Sequence, residues 1–117
     1  MTDLPPDLLP DLPPVVAAYV AADAGTDLDA FVALFAETAV VVDDGRTFSG
    51  REGVRSWKAQ TTSEFTYETS LVSHERLAAG QHRVVGHLTG DFPGGEVDLT
   101  YTFVIAEEVI ERLEIDA

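Results

Sequence analysis

The chain has 117 residues, no cysteine and a formal charge of −14, from 21 acidic and 7 basic side chains. The lack of cysteine excludes disulfides, thiolate metal sites and a cysteine nucleophile. A surface of this charge repels nucleic acid and anionic membranes. No apolar run reaches the ~20 residues that span a bilayer, and no signal peptide is recognisable, so we expect a cytoplasmic protein.

The sequence divides into an acidic, proline-rich start and a longer part of globular composition. The opening stretch MTDLPPDLLPDLPP contains five of the six prolines and three aspartates. Proline fixes φ and lacks an N–H, so this stretch predicts neither an ordinary helix nor a central strand. We therefore predict an arm over residues 1–13, loosely held or disordered, and one domain over residues 14–117.

Helical patterns come first along the domain, and strand patterns follow. Pro14 can open a first helix, PVVAAYVAADA, which ends at Gly25. The stretch TDLDAFVALFAE predicts a second helix of about three turns. TAVVVDD predicts a strand, and SGREGVRSWKAQ predicts a third helix. Four more strands are predicted over residues 64–77, 82–92, 96–106 and 109–115. This order is typical of an α+β fold in which a curved sheet wraps over the helices and encloses a pocket.

Two stretches, AYVAADAGTDLDAFVALFAETAVVVDDG and FSGREGVRSWKAQ, carry a family resemblance. Residues 14–115 resemble the nuclear transport factor 2-like superfamily, and within it the SnoaL-like polyketide cyclase and ketosteroid isomerase branches. The resemblance implies a cone-shaped barrel, with three helices packed in the concave face of a strongly curved, mainly antiparallel sheet. It also implies a deep apolar cavity and a homodimer. The fold hosts both enzymes and non-catalytic modules.

The strand ends in two adjacent aspartates, and side-chain alternation lets only one of them face the interior. Asp44 precedes Gly45, a pair typical of turns. The resemblance assigns the inward position and a role as general base to Asp43. It assigns Tyr19, on the first helix, as hydrogen-bond donor to a developing enolate. The alternative from the residues alone is that Asp43 caps the strand end or pairs with Arg46 or Lys58. Tyr19 is then a core aromatic whose hydroxyl has a partner.

The sequence departs from the isomerase pattern at two places. That branch has a protonated carboxylic acid on a late strand, whereas alternation here turns Asp98 outward and Tyr101 inward. The branch also has a tyrosine where this chain has Lys58. A lysine there would favour a bound anion or enolate, or alternatively it lies along Trp57 with its amine in water.

These patterns predict a cavity for a small apolar or carbonyl-containing molecule. The residues expected to line it, besides Asp43 and Tyr19, are Trp57, Lys58, Tyr101, Phe103 and Phe35. The three candidate functions are a proton-transfer enzyme of isomerase or cyclase type, a binding module without turnover, and a dimeric interaction protein. No cofactor and no metal are expected.

Two further expectations concern the strands. The only close pair of candidate metal ligands is His74 with His82, and exposed histidines are the simpler interpretation. The outer face of the sheet is expected to carry the dimer contact, with apolar residues such as Val72, Val84 and Leu88 turned outward.

Overall fold

The computed structural model describes residues 12–25, 27–64 and 66–116. Residues 1–11 of the arm predicted over residues 1–13, and Thr26, the first residue of the stretch predicted as the second helix, lie outside the described residues. The elements, in chain order, are α1 (Pro14–Ala24), α2 (Leu28–Val32), β1 (Phe35–Asp43), β2 (Arg46–Ser49), α3 (Gly50–Glu64), β3 (Tyr67–Ala78), β4 (Gln81–Gly90), β5 (Glu96–Ala106) and β6 (Val109–Asp116).

The strands form one six-stranded sheet in the order β2-β1-β6-β5-β4-β3. All neighbouring pairs are antiparallel except β1 with β6, which run parallel. The predicted class is confirmed: three helices pack on a curved, mainly antiparallel sheet of the cone type. The sheet does not close, because β2 and β3 remain its edges.

The second helix is shorter than predicted. It spans five residues, with Asp27 as its N-cap accepting from the Ala30 amide at 3.1 Å. The carbonyl of Leu34 then accepts from the amide of Ile110 at 2.9 Å, and Phe35 pairs with the same residue in β6. Pairing with a distant strand therefore ends a segment whose local apolar spacing favoured three turns.

A short strand, β2, was absent from the sequence prediction. It pairs antiparallel with β1, with Asp43 opposite Arg46. The turn between them places Asp44 at φ 53° and Gly45 at φ 79°, the left-handed region in which Asp and Gly are the usual residues. The hairpin fixes the end of β1, and so fixes where the Asp43 side chain emerges.

The last four strands follow the prediction closely. The weakest predicted boundary, AEE between β5 and β6, is a tight turn in which Glu107 and Glu108 both have positive φ. Their side chains are exposed, so the turn carries no burial cost.

The core lies between the helices and the concave face. Its fully buried large side chains include Phe31, Phe35, Phe103, Ile110 and Leu113. In the parts of the chain that the structure describes, no helix is long and apolar enough to cross a membrane.

Candidate functional site

A cavity of about 370 Å³ opens at one end of the concave face. Three parts of the fold form its wall: helix α1, helix α3 together with the β1–β2 hairpin, and strands β3 to β6. The lining residues that carry chemistry are Tyr19, Asp23, Asp43, Asp44, Arg46, Trp57, Thr61, Tyr67 and Tyr101. A cavity of this size, mostly apolar with a few polar groups, is typical of a small-molecule site.

Asp43 ends β1 at the wall of this cavity. Its side chain is half-buried, and its Oδ2 atom accepts a hydrogen bond from the indole Nε1–H of Trp57 at 2.9 Å. Among the described residues it forms no ion pair. The alternative from the sequence, that Arg46 or Lys58 neutralises Asp43, does not hold. A carboxylate with one neutral donor and an open side keeps an oxygen available to a ligand.

Asp44 lies next to this carboxylate in a different environment. It is exposed, occupies the left-handed turn position and borders the same cavity. The two adjacent aspartates thus differ in burial because the strand ends between them.

Tyr19 and Tyr101 stand side by side in the wall, with ring centroids 6.1 Å apart. They are 4% and 6% exposed. Burial raises the pKa of both hydroxyls, and the charge of Asp23 raises it further. Within the described residues neither hydroxyl has a hydrogen-bond partner, whereas both rings border the cavity. Each phenol therefore stays protonated and has its O–H free to donate.

Lys58 is buried, contrary to the expectation that its amine lies in water. Its Nζ donates to Asp23 at Oδ1 (2.6 Å) and at the backbone carbonyl (3.1 Å). The Tyr67 hydroxyl donates to the same Oδ1 at 3.0 Å. Nζ also lies 5.0 Å from the Phe31 ring centroid, a cation–π distance. Lys58 is therefore held in an ion pair with Asp23 and is not among the residues that line the cavity.

The remaining predicted lining residues are placed differently. Trp57 borders the cavity, but Phe35 is 0% exposed and lies in the core beside Phe31, with ring centroids 5.4 Å apart. Phe103 is 1% exposed and borders a second, much smaller space of about 10 Å³.

Two residues expected on the outer face turn inward instead. Val84 and Leu88 are 1% and 7% exposed. They pair across strands with Tyr101 and Val97 of β5, and residues directly opposite in a sheet share a face. The register with β5 therefore puts them on the concave side. Val72, at 49% exposure, remains outward as expected.

The histidine pair lies on β3 and β4. Nε2 of His74 is 2.8 Å from Nδ1 of His82, so one ring donates to the other. His82 is only 8% exposed, contrary to the expectation of exposed histidines, and burial lowers its pKa. No group of three or more metal-ligating side chains is found among the residues that the structure describes.

Sequence reasoning missed Asp23 and Tyr67. Asp23 follows Tyr19 by four residues, so both lie on one face of α1, and this spacing was the available signal. Tyr67 starts β3 and reaches Asp23 across 44 positions of sequence, a contact that no local pattern encodes.

Comparison with known proteins supports the fold. The model of the SnoaL-like domain matches residues 16–108. The chain is similar to the crystal structure of a Sinorhizobium meliloti protein described as a polyketide cyclase, with 34% identity over 91% of this chain and 96% of that one, at a TM-score of 0.86. No protein with a curated functional description matches.

Two other solved structures are similar to this chain. A Catenulispora acidiphila protein with a ketosteroid isomerase-like fold, in complex with trimethylamine, is 26% identical over 90% of this chain and 85% of that one (TM-score 0.81). A Mycobacterium tuberculosis protein in complex with estradiol-17β-hemisuccinate shares the fold at 15% identity over 88% and 90% (TM-score 0.75). By its sequence match and its architecture, the chain belongs to the SnoaL-like family.

Proposed function

We propose that the cavity binds a small carbonyl compound and catalyses proton transfer at the carbon next to the carbonyl. The observation that carries this proposal is the carboxylate of Asp43, which has no ion-pair partner among the described residues. It lies in the same apolar wall as the hydroxyl of Tyr19, which has no hydrogen-bond partner in that part of the chain either. A base beside a donor is the minimum that enolisation requires.

In this mechanism Asp43 removes a proton from the α-carbon. The C–H electron pair moves into the carbonyl, and negative charge develops on its oxygen. Tyr19 donates to that oxygen, and Tyr101, whose ring lies beside it, can supply the second hydrogen bond. Return of the proton from Asp43 to another carbon gives isomerisation. Attack of the enolate carbon on a second carbonyl of the same molecule gives cyclisation, and the oxygen of that carbonyl then takes up the proton from Asp43.

The walls suit such a step because their apolar side chains lower the local dielectric, which strengthens hydrogen bonds to developing charge. Trp57 holds Asp43 at Oδ2, which leaves Oδ1 to accept the proton. The ligand-bound relatives also support a role in small-molecule binding for the cavity of this fold.

A second candidate is a binding module without turnover. The Trp57–Asp43 hydrogen bond favours it, because that bond gives Asp43 a structural role in fixing α3 on the β1–β2 hairpin. In that case the same ligands bind, but no proton moves.

We also retain the homodimer as part of the proposal, through the outer face of the sheet where Val72 is exposed. Light scattering at physiological salt measures the mass, since a charge of −14 opposes association at low salt. A monomer mass at micromolar concentration contradicts this assembly.

Exchange of the α-hydrogens of tetralone for deuterium, followed by proton NMR, tests the proposed reaction. The protein should accelerate exchange, and Asp43→Asn should remove about 10²–10⁴-fold of that rate while binding is kept, since the amide keeps the shape but not the basicity.

The matched control is Asp44→Asn, which should change the exchange rate little. Tyr19→Phe should slow exchange more than it weakens binding, because its hydrogen bond strengthens as charge develops. Tetralone binding without any acceleration of exchange would select the binding module.

A further inference from the structure

The hydroxyl groups around the cavity differ in what they can offer a ligand. Tyr67 has one proton, and it is given to Oδ1 of Asp23 at 3.0 Å. What remains at its oxygen is the lone pairs, which only accept. Tyr67 therefore faces a ligand as an acceptor, although Tyr19 and Tyr101 face it as donors.

The direction of the Tyr67 hydrogen bond is fixed by the ion pair behind it. Asp23 and Lys58 have side chains only 9% and 7% exposed, and their atoms Oδ1 and Nζ are 2.6 Å apart. A carboxylate paired with an ammonium group has no proton to give, so Tyr67 must donate to it. The ion pair is itself held by the last turn of α1, whose Asp23 carbonyl accepts from the same amine.

Two other residues that line the cavity, Thr61 and Trp57, also donate their protons to protein acceptors. The Thr61 hydroxyl donates to the backbone carbonyl of Trp57 at 3.0 Å. The indole N–H of Trp57 donates to Asp43. The three residues Asp43, Thr61 and Tyr67, which all line the cavity, thus present acceptors to it, and we call this set the acceptor wall.

We propose that the Asp23–Lys58 ion pair holds Tyr67 as a hydrogen-bond acceptor toward the cavity, and that Tyr67 thereby selects a ligand with a hydroxyl or amino donor in addition to its carbonyl. This inference rests on the proposed function, because it assumes that the cavity takes a carbonyl compound. It adds a specificity-determining residue, Tyr67, and a positioning pair, Asp23 and Lys58. When a ligand without a hydroxyl or amino donor fills the cavity, the Tyr67 oxygen is buried with no hydrogen-bond donor, and this costs binding energy. The acceptor wall therefore discriminates against such ligands.

Three ketones of the same skeleton test the inference: tetralone, hydroxytetralone and methoxytetralone, with the phenolic oxygen para to the carbonyl. Calorimetry measures the dissociation constant of each. The wild-type protein should bind hydroxytetralone about tenfold more tightly than the other two ketones, the gain expected from one buried hydrogen bond.

Tyr67→Phe should remove this preference by weakening the binding of hydroxytetralone, whereas tetralone should bind at least as tightly as it does to the wild-type protein, because the acceptor that it leaves unsatisfied is gone. The matched control is Tyr101→Phe, which should weaken all three ketones by a similar factor and keep the preference. The charge-neutral double variant Asp23→Asn, Lys58→Met should also reduce the preference, because Tyr67 is then free to turn its proton toward the ligand. A purely structural role of the pair would lower the melting temperature without changing this ratio of affinities.

The outcomes separate the inference from the proposed function. If tetralone binds and its α-hydrogens exchange, but hydroxytetralone is not preferred or stays preferred in Tyr67→Phe, the inference is wrong and the proposed function stands. If none of the three ketones binds at millimolar concentration, both are wrong.

Discussion

The two ends of the concave face are built from the same strands but are packed differently. At the closed end, Val84 and Phe103 meet Val16 of α1 and leave a space of about 10 Å³. At the open end, inward residues four positions further along the same strands, Leu88 and Leu99, border about 370 Å³. Apolar alternation along a strand therefore sets which face is buried, but not whether that face is packed or hollow.

Polar groups differ in the same way between the two sides of the open end. Asp23 is neutralised by a buried lysine, whereas Asp43 has a neutral indole donor and no ion-pair partner among the described residues. The Asp23 carboxylate is thus held in a structural ion pair, whereas the Asp43 carboxylate is left available to a ligand.

The largest expected effect on stability concerns the buried ion pair. Lys58→Met should cost about 3–5 kcal/mol in the free energy of unfolding, because it leaves Asp23 buried and unpaired. Adding Asp23→Asn should restore much of the loss. The surface pair of Arg55 with Asp29, whose side chains are 46% and 85% exposed, provides the control: Arg55→Met should cost at most about 1 kcal/mol. Similar losses for the two substitutions in urea unfolding would contradict the assignment of Lys58.

The packed and hollow ends can be compared with one type of substitution. Leu113 is 0% exposed in the core, and Leu113→Ala should cost about 2–5 kcal/mol. Leu99 is half-buried at the cavity, so Leu99→Ala enlarges an existing space and should cost about 1 kcal/mol. Urea unfolding measures both, and equal costs would indicate that the cavity is filled in solution.

The tyrosine hydroxyls provide a smaller contrast. Tyr67→Phe should cost about 1 kcal/mol, because Asp23 loses a donor. Tyr19→Phe should cost less than about 0.5 kcal/mol, because its hydroxyl has no partner to lose among the described residues. The reverse order in thermal unfolding would mean that Tyr19 is the structural hydroxyl.

The smallest expected effects belong to two histidines of β4, and they have opposite signs. Burial, with His74 and Arg76 nearby, lowers the pKa of His82 below its ordinary 6.5. The unfolded chain then binds more protons, so stability is lost as pH falls from 6.5 through the folded pKa. The hydrogen bond to Asp98 raises the pKa of His87, so its contribution is present below 6.5 and is lost as pH rises through the folded value.

His82→Gln should remove the loss of stability as pH falls below 6.5, and His87→Gln should remove the loss of stability as pH rises above 6.5. Unfolding in urea over a pH series measures them, and slopes of the same sign in both variants would contradict the assignment.

Much of the fold could be predicted because its signals are local. Pro14 begins α1, the valine run forms β1, and alternation on β5 correctly placed Tyr101 inward and Asp98 outward. The errors arose where a distant partner decides the outcome. Pairing with Ile110 shortens α2, and pairing with β5 turns Val84 and Leu88 inward.

The site was predictable to the extent that one strand and one helix determine it. Strand alternation and the family resemblance indicated Asp43 and Tyr19, and both border the cavity. The partner of Lys58 was not predictable, because Asp23 lies 35 positions away on another helix and the two residues meet only in the folded structure. Lys58 was therefore expected in water or in the pocket and is found in neither.

The measurement that tests the central claim most directly is the NMR signal of the indole N–H of Trp57, the only tryptophan in the chain. Its proton lies on Asp43, so a carbonyl compound bound beside that carboxylate must change the signal. Titration with tetralone should shift the signal saturably, with the same dissociation constant that calorimetry gives. Binding seen by calorimetry without a change at Trp57 would place the ligand elsewhere and contradict the assignment of Asp43 to the site.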